Sequence, residues 1–405
     1  MTAPKLRLAG FKGQWSPKRL GETGHILQER TSDFARYPLY SLTIEKGVTK
    51  KTERYERGFL VSKTGDIFKI VHPGNFVTNP MNLRFGAVGY SKEKDDVSVS
   101  GYYDVFELDD NKCSPFWFNF LKREGMKKRY EDIATGSLIE KKRVHVNDLL
   151  NLELPIPELD ERKSLGEYLT SLDRLIDAEA LRHESLRKLK SACLEKMFAH
   201  DGEKCPRLRL GGFRGDWKRI CLGDIGVYSG GKGYSKSSLK STGNPIVLYG
   251  RLYTQYETTI KDVKTFADLL PNSVLSDGGE VVVPTSGEEA ADIAVAAVIK
   301  NPKVIIGGGL TVITLKKQYD SVFVALVITY GSTHHALAKV AQGKTIVHLY
   351  ADELKKASAY VPPTLEEQQA IGEFFAEIDR AMHLSTSRLE KFGHLKSACM
   401  ERMFV

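Results

Sequence analysis

The sequence KLRLAGFKGQW at residues 5–15 returns as RLRLGGFRGDW at residues 207–217. At this fixed offset of 202, seven of the eleven positions are identical: Leu6, Arg7, Leu8, Gly10, Phe11, Gly13 and Trp15. A second match, at an offset of 206, relates residues 159–198 to residues 365–404. Both of its copies contain Gly-Glu, Asp-Arg and an identical Lys-Ser-Ala-Cys before a Met-Phe end. Two ordered matches of this kind predict an internal duplication.

The segments between the repeats diverge. Residues 16–157 and 218–363 share little beyond Leu20-Gly21 and Leu222-Gly223. The chain therefore alternates constant, variable, constant, variable and constant segments. This layout indicates one role that both halves share and another that was free to differ between them.

The constant segments that follow the variable ones predict long helices. Apolar residues recur in them at helical spacing: Leu165, Leu169, Leu172 and Ile176, then Ile371, Phe375, Ile378 and Met382. Thr364 with Glu367 fits a capping box. About 40 residues span roughly 60 Å at 1.5 Å per residue. Each helix begins where its own variable domain ends, so we expect an antiparallel pair, with Val405 near Met1.

The expected fold class is α/β (α+β): two mixed α/β domains separated by this helix pair, with pseudo-two-fold duplication. The expected divisions are a first domain at 1–157, a helix at 158–203, a second domain at 204–363 and a helix at 364–405. Short β-rich runs predict strands at Gly58–Val61, Ile67–Val71, Gly279–Val283, Val304–Ile306 and Leu310–Leu315. Helical stretches are expected around Pro115–Tyr130 and Ser321–Gln342. The strand order does not follow from the sequence.

Composition narrows the functional classes. The 405 residues carry a formal net charge of +8, and this favours a polyanionic partner such as nucleic acid. Five cysteines form no Cys-x-x-Cys pair, which indicates a reducing compartment. The N-terminus lacks the apolar core of a signal peptide, and no run approaches the ~20 apolar residues of a membrane span. These features predict a cytoplasmic protein.

The constant segments carry a family resemblance. The opening at Pro4 and at Pro206 (PxLRLxGFxGxW), the segment PPTLEEQQAIGEFFAEIDR (362–380) and the Lys-Ser-Ala-Cys…Met-Phe ends resemble specificity subunits of type I restriction-modification systems. So do residues 343–363, which are mirrored in residues 136–157. The resemblance covers the whole chain and includes its duplication. The first copy departs from the pattern, with LDERKSLGEYL at its helix start.

The resemblance implies different roles for the variable domains, the helices and the partner subunits. Each variable domain would be a target-recognition domain that reads half of a bipartite sequence in double-stranded DNA. The helices would set the spacing and dock two methyltransferase subunits, to which two restriction subunits can add. The chain itself would be non-catalytic and hold no cofactor. S-adenosylmethionine is expected on the methyltransferase, and ATP and Mg on the nuclease. Residues expected to contact partner subunits are Arg162, Gln368, Gln369 and Phe374.

Motifs of enzymes are incomplete in this chain. Asn79-Pro80-Met81-Asn82 lacks the aromatic fourth residue of an amino-methyltransferase tetrapeptide, and no glycine-rich cofactor loop precedes it. GVYSGGKG at 226–233 has glycine where a phosphate-binding loop needs a hydroxyl after Lys232. His334-His335 has no metal-ligand spacing, and Thr285-Ser286-Gly287 has no nucleophile elbow. We interpret the first as a turn, the second as a DNA-facing loop and the third as a polar helix position.

Exposed cations, amides and aromatics on loops are the candidates for DNA contact, because base edges are read by such side chains and phosphates by positive charge. In the first domain they are Asn79, Asn82, Arg84, Tyr90, Lys141, Lys142 and Arg143. In the second they are Lys232, Tyr234, Lys236, Tyr249, Arg251, Tyr253, Thr285, Ser286 and Lys344. Two other functions stay open, namely a duplicated DNA-binding adaptor outside restriction and a self-sufficient methyltransferase or nuclease. Co-purification with a methyltransferase would separate them.

Overall fold

The computed structural model describes residues 3–45, 47–50, 67–138, 142–287, 293–341 and 347–405. The chain forms two compact units. The first comprises residues 1–180 together with 387–405, and the second comprises residues 181–386. Each unit thus contains one variable segment and parts of both long constant segments. These two units do not coincide with the four segments expected from the sequence. The four-part division stays a prediction.

The first unit alternates short strands with helices. Its strands are β1 (Ser16–Arg19), β2 (Gly24–Leu27), β3 (Arg30–Thr31), β4 (Tyr40–Thr43), β5 (Gly47–Lys50), β6 (Phe68–Val71), β7 (Phe76–Thr78), β8 (Val88–Tyr90), β9 (Val97–Val99), β10 (Asp104–Leu108) and β11 (Glu153–Ile156). Its helices are α1 (Ser114–Lys122), α2 (Glu124–Ile133), α3 (Val146–Leu150) and the start of α4 (Leu159–Lys196). The main sheet has the order β2-β10-β7-β8, with β3-β6-β9 as a second sheet.

The second unit follows the same plan. Its strands are β12 (Lys218–Cys221), β13 (Gly226–Gly230), β14 (Asn244–Val247), β15 (Thr259–Ile260), β16 (Phe266–Ala267), β17 (Val274–Leu275), β18 (Glu280–Pro284), β19 (Ser286–Gly287), β20 (Ala297–Ile299), β21 (Ile305–Ile306), β22 (Leu310–Leu315), β23 (Val347–His348) and β24 (Ser358–Val361). Its helices are α5 (Arg251–Thr254), α6 (Ser321–Thr329), α7 (Gly331–Val340), α8 (Ala351–Lys356) and the start of α9 (Leu365–Arg402). The main sheet has the order β13-β22-β18-β20-β15.

The variable segments share a topology despite their divergent sequences. In the first unit the central strand β10 pairs antiparallel with β2 and with β7. In the second unit the central strand β22 pairs antiparallel with β13 and with β18. Both β7 and β18 precede a predicted DNA-contact loop. Both central strands lead into a pair of helices, α1–α2 or α6–α7. Alternate apolar side chains of the sheets pack beneath these helices in one main core per unit. The duplication therefore includes the fold of the variable domains, although their sequences differ.

A buried ion pair explains why the opening motif is constant. In the first unit the Arg7 guanidinium donates to both carboxylate oxygens of Glu161 at 2.7 Å and also to the carbonyl of Gly13. In the second unit Arg209 donates to both oxygens of Glu367 at 2.7 Å and to the Gly215 carbonyl. The two glutamates are almost fully buried. Each pair fixes a domain's first segment to the first turn of the helix that follows it.

The opening motif also closes a long helix. The Leu6 backbone N–H donates to the Arg402 carbonyl at 2.8 Å in the first unit, and Leu208 donates to Lys196 at 2.8 Å in the second. Trp15 packs edge-on against Phe404. Carbonyls at a helix end lack partners within the helix, so these bonds satisfy one of them at each end. The expected approach of the C-terminus to the N-terminal segment is confirmed at Leu6 and Trp15.

The constant helices pair antiparallel within each unit. In the first unit the Lys396 ammonium contacts the Asp173 carboxylate at 2.5 Å, and Arg388 lies 3.7 Å from Glu179. In the second unit Lys190 contacts Asp379 at 2.5 Å. The residue numbers rise on one helix as they fall on the other, as antiparallel neighbours require. The predicted antiparallel pairing is confirmed.

The two lysine–aspartate pairs join the motifs that the repeats share. Lys190 and Lys396 begin the two Lys-Ser-Ala-Cys motifs, whereas Asp173 and Asp379 begin the two Asp-Arg motifs. The Lys of one copy therefore contacts the Asp of the other copy, in both directions.

Several local predictions need correction. The capping box is half formed, since the Glu367 N–H donates to the Thr364 hydroxyl at 3.3 Å while the Glu367 carboxylate binds Arg209 instead of the cap backbone. A charged partner outcompetes a backbone N–H for that carboxylate. Both expected helical stretches are present, and each consists of two helices, because Arg123 and Tyr330 adopt extended backbone between them. The expected strand at Gly58–Val61 lies outside the described residues.

Candidate nucleic-acid interface

In the second unit, backbone hydrogen bonds bring the predicted DNA-contact loops together. Gly308 N–H donates to the Gly233 carbonyl at 2.8 Å, and Gly307 donates to Val247 at 3.0 Å. The Thr285 N–H donates to the Gly309 carbonyl at 2.9 Å, and the Thr285 carbonyl accepts from the Leu349 N–H at 3.2 Å. Loops that are remote in sequence therefore become neighbours. The sequence prediction that these residues act as a set gains a structural basis.

The glycine-rich stretch supplies two exposed lysines and one structural tyrosine. Lys232 and Lys236 are exposed and have no ion pair with the described residues. The Tyr234 hydroxyl instead contacts the Asp268 carbonyl at 2.9 Å and the Ser273 hydroxyl, and Leu270 N–H donates to it at 3.1 Å. Tyr234 is therefore committed to holding its own loop. The two lysines remain suited to phosphate contact.

Arg251 is not the free base-reading group that the sequence suggested. Its guanidinium contacts the Glu257 carboxylate at 2.7 Å and the Asp262 carbonyl at 2.9 Å, and the side chain is only 14% exposed. Reading a guanine edge would require these bonds to break. Arg251 instead fixes the short helix α5, on which Tyr253 lies edge-on to the exposed ring of Tyr249.

A group of contacting residues at β19 and β23 includes His348 and Tyr350, which were not among the predicted DNA contacts. Ser286 and His348 are direct cross-strand partners, and the Ser286 hydroxyl lies 3.1 Å from His348 Nδ1. The His348 ring stacks on Tyr350 at 5.8 Å and 14°. The Tyr253 hydroxyl donates to the Ser286 carbonyl at 2.5 Å. The alternation of His348 and Tyr350 after a Gly-Lys-Thr stretch was the available sequence signal.

In the first unit, Asn79 and Asn82 form a turn. Asn79 Oδ1 accepts from the Met81 N–H at 3.1 Å, and the Asn79 carbonyl accepts from the Asn82 and Leu83 N–H groups. Asn79 is thus a turn former, whereas the Asn82 side chain is exposed. The interpretation of this tetrapeptide as a turn agrees with the geometry. The Asn79 Oδ1 is thus engaged within the turn, whereas the Asn82 side chain has no such bond among the described residues.

Three further first-unit candidates have internal partners. Arg84 lies 3.2 Å and Lys142 2.6 Å from the Glu131 carboxylate. The hydrogen bond from Lys142 and the charge of Arg84 lower the pKa of Glu131. Tyr90 packs between Phe76 and Phe118, and burial raises the pKa of its hydroxyl. These side chains build the domain rather than project from it.

Arg143 differs from its neighbours. Its side chain is exposed, and its guanidinium has no hydrogen bond or ion pair with any residue in the described part of the chain. Its backbone forms a bridge with Thr135, through bonds of 2.8 and 2.9 Å. The predicted contacts Lys141 and Lys344 lie outside the described residues.

The residues expected to contact partner subunits form two groups, one buried and one at least partly exposed. Arg162 is 6% exposed, contacting Asp109 at 2.7 Å and the Pro157 carbonyl at 2.5 Å. Gln368 is 3% exposed, accepting from Asp320 N–H at 3.0 Å and donating to Gln318. Both therefore fasten a domain to its own helix, contrary to the expectation. Gln369 is exposed and Phe374 is half-buried, so these two remain candidates.

The incomplete enzyme motifs have structural roles. Residues 226–230 of the glycine-rich sequence form strand β13, and the expected loop around Lys232 begins after Gly230. His334 Nδ1 bonds the Ala294 carbonyl at 2.8 Å. No group of three potential metal ligands occurs among the described residues. In the same part of the chain no single helix could span a membrane, although α6 and α7, bent by 58°, reach the required length and hydropathy if taken together.

The fold and surface define a class: a duplicated α/β protein with a helix after each domain and cationic and aromatic loops. Comparison with known families matches the type I restriction modification DNA specificity domain twice, at residues 13–188 and 214–391. The chain belongs to this family.

Individual relatives agree. The chain is 23% identical over 301 residues to a putative type I restriction enzyme MjaX specificity subunit from Methanocaldococcus jannaschii, covering 72% of this chain and 67% of the relative. It is 22% identical over 261 residues to the MjaVIII specificity subunit of the same organism, covering 62% and 60%. The crystal structure of a type I restriction-modification S subunit from M. genitalium matches 100% of this chain and 99% of its own, with a TM-score of 0.57 and 14% identity. This last likeness is one of fold.

Proposed function

We propose that this chain is the DNA-recognition subunit of a type I restriction-modification complex, in which each variable domain reads one half of a bipartite target. The observation that carries the proposal is a contrast between the two units. The Arg–Glu ion pairs Arg7–Glu161 and Arg209–Glu367, which we call latches, repeat in the two units. The strand topology and the helix pairing repeat as well, whereas the exposed side chains of the loops differ. A shared scaffold with different contact residues suits two domains that read different sequences.

The chain's partners follow from the same proposal. Two methyltransferase subunits dock on the constant helices, where Gln369 and Phe374 are available, and two restriction subunits can join them. S-adenosylmethionine, ATP and Mg belong to those partners, and this chain is non-catalytic. Its five cysteines are all free, which supports a cytoplasmic location.

The decisive experiment is co-expression with the methyltransferase that co-purifies with the chain, followed by methylome sequencing. We expect methylation at one bipartite sequence and none when either protein is expressed alone. Methyl transfer by the purified chain would support a self-sufficient methyltransferase instead. DNA binding without a methyltransferase partner would support an adaptor outside restriction.

A further inference from the structure

Hydrogen bonds identify one equivalent position in the two variable domains. In the first unit Val144 N–H donates to the Pro80 carbonyl at 2.9 Å. In the second unit Leu349 N–H donates to the Thr285 carbonyl at 3.2 Å. Both acceptors follow the strand, β7 or β18, that pairs with the central strand of its sheet. The residues one position before the donors, Arg143 and His348, therefore occupy the same place in the two domains.

These two positions carry different side chains that can bind DNA. Arg143 is exposed and unpaired among the described residues, unlike Arg84, Lys142 and Arg251. The His348 ring is held by Ser286 through Nδ1 and by stacking on Tyr350. Its Nε2 bonds no residue within the described ranges. One domain thus offers a planar cation and the other an oriented imidazole at the same place.

We propose that Arg143 and His348 are matched base-reading residues, each contacting one base edge in its half-site. This inference rests on the proposed function. An arginine suits guanine, whose O6 and N7 accept both guanidinium N–H groups. With Ser286 donating its hydroxyl proton to Nδ1, the His348 Nε2 carries a proton and donates to an acceptor such as guanine N7. Ser286 is then a positioning residue that fixes the tautomer and the ring.

The first test compares Arg143→Ala, Arg143→Lys and the control Arg30→Ala, an exposed arginine on β3, in the complex with the co-purified methyltransferase. Methylome sequencing should show roughly 10- to 100-fold weaker discrimination at one base position of one half-site for Arg143→Ala, and a smaller loss for Arg143→Lys, because lysine can also donate to guanine. The lysine variant should keep its affinity for DNA, because its charge remains. Unchanged discrimination in the alanine variant, with affinity lowered alike for every sequence, would make Arg143 a phosphate contact and overturn the inference.

The second test compares His348→Ala, Ser286→Ala and the control His335→Ala, an exposed histidine on α7. We expect the first two to relax the same single base position of the other half-site, and the double variant to be no worse than His348→Ala. Nitrogen chemical shifts of His348 should report a changed tautomer in Ser286→Ala. Relaxation at two different positions would make Ser286 an independent reader and refute its positioning role.

The outcomes separate this inference from the function on which it rests. If the wild-type complex methylates no specific sequence, the proposed function fails. If it methylates a bipartite sequence that the Arg143 and His348 variants leave unchanged while folding normally, only the matched-reader inference fails. Thermal unfolding of each variant establishes folding. Any loss of specificity confined to one half-site, with the other intact, also shows that the complex has assembled.

Discussion

At the scale of single residues, the side chains that look available in the sequence are often engaged in the fold. Arg162, Arg251 and Gln368 were predicted to contact a partner or DNA, yet each bonds groups of its own unit. Periodicity and motif spacing identify residue types but not their long-range partners. His348 was missed for the same reason, since its pairing with Ser286 joins residues 62 positions apart.

The buried Arg209–Glu367 pair gives a prediction about stability. Arg209→Ala leaves a carboxylate that is 1% exposed without its charged partner, so we expect a loss of about 3 kcal/mol in the free energy of unfolding. Arg207→Ala is the matched control, because its partner Glu203 is open to solvent and a screened surface pair contributes little to stability. Denaturant unfolding measures both. Equal losses would contradict the role of the latch.

The five cysteines give a prediction about reactivity. Burial raises the pKa of Cys113 to about 11, so at pH 8 only about one thiol in a thousand is ionised there. Cys193 and Cys399 are also buried, whereas Cys205 and Cys221 are exposed. A thiol titration of the native protein should therefore find two fast groups, and all five after denaturation. Fast reaction of Cys113 below its pKa would show that its helix opens readily.

At the scale of elements, the sequence predicted the long helices well and the sheets poorly. The helix starts were predicted to within one residue, and the run Leu310–Leu315 coincides with β22. Amphipathic repeats over 38 residues are strong local signals. The strand order could not be predicted, because most strands are two to five residues long and pair with distant partners. The two broken helices depend on single extended residues that periodicity does not register.

The helix pairing gives a prediction about charge. Asp379→Lys places two cations together and should destabilise the second unit by about 1 kcal/mol, the scale of partly exposed pairs. The double variant Asp379→Lys with Lys190→Asp restores opposite charges and should recover most of that loss. A double-mutant cycle on thermal unfolding gives the coupling. A coupling of zero would mean that the contact contributes nothing to pairing.

At the scale of the whole molecule, the structure changes how the spacer hypothesis must be tested. The expected bounds of the first helix, 158–203, would make Ala199–Lys204 a place at which an insertion of four residues lengthens it. Yet α4 ends at Lys196, and Met197, Phe198 and Ala199 are buried in the core of the second unit. An insertion there would enlarge a loop and disturb a core. The spacer must be lengthened inside the helices.

The revised insertion follows from the unit boundary, which crosses α4 after Ala180 and α9 after Thr386. Seven helix-forming residues added after Ala180 and after Thr386 preserve the helix faces and add about 10 Å. If the helices set the spacing, methylome sequencing should find unchanged half-sites separated by about three more base pairs. Lengthening only one helix is the control and should impair assembly. A fixed gap with efficient methylation would assign the spacing to the partners.

Exchange of a variable domain gives the last prediction. Replacing residues 16–157 by the equivalent segment of a family member replaces both β1 and β11, so the two paired strands come from the same protein. Arg7, Trp15 and Glu161 stay in place, and the latch can re-form. We expect one half of the methylated sequence to change and the other to persist. A change in both halves would refute independent reading by the two domains.

The crosswise lysine–aspartate contacts carry an evolutionary consequence. Lys190 contacts Asp379 just as its counterpart Lys396 contacts Asp173, which is the rule of an isologous dimer interface. A chain of half the length would hold both members of the pair on one helix, and two copies could satisfy each other. The chain therefore has the contact pattern of a homodimer whose two copies have been joined into one chain. Because all four contacting residues lie on the constant helices, exchange of either variable segment leaves both contacts in place.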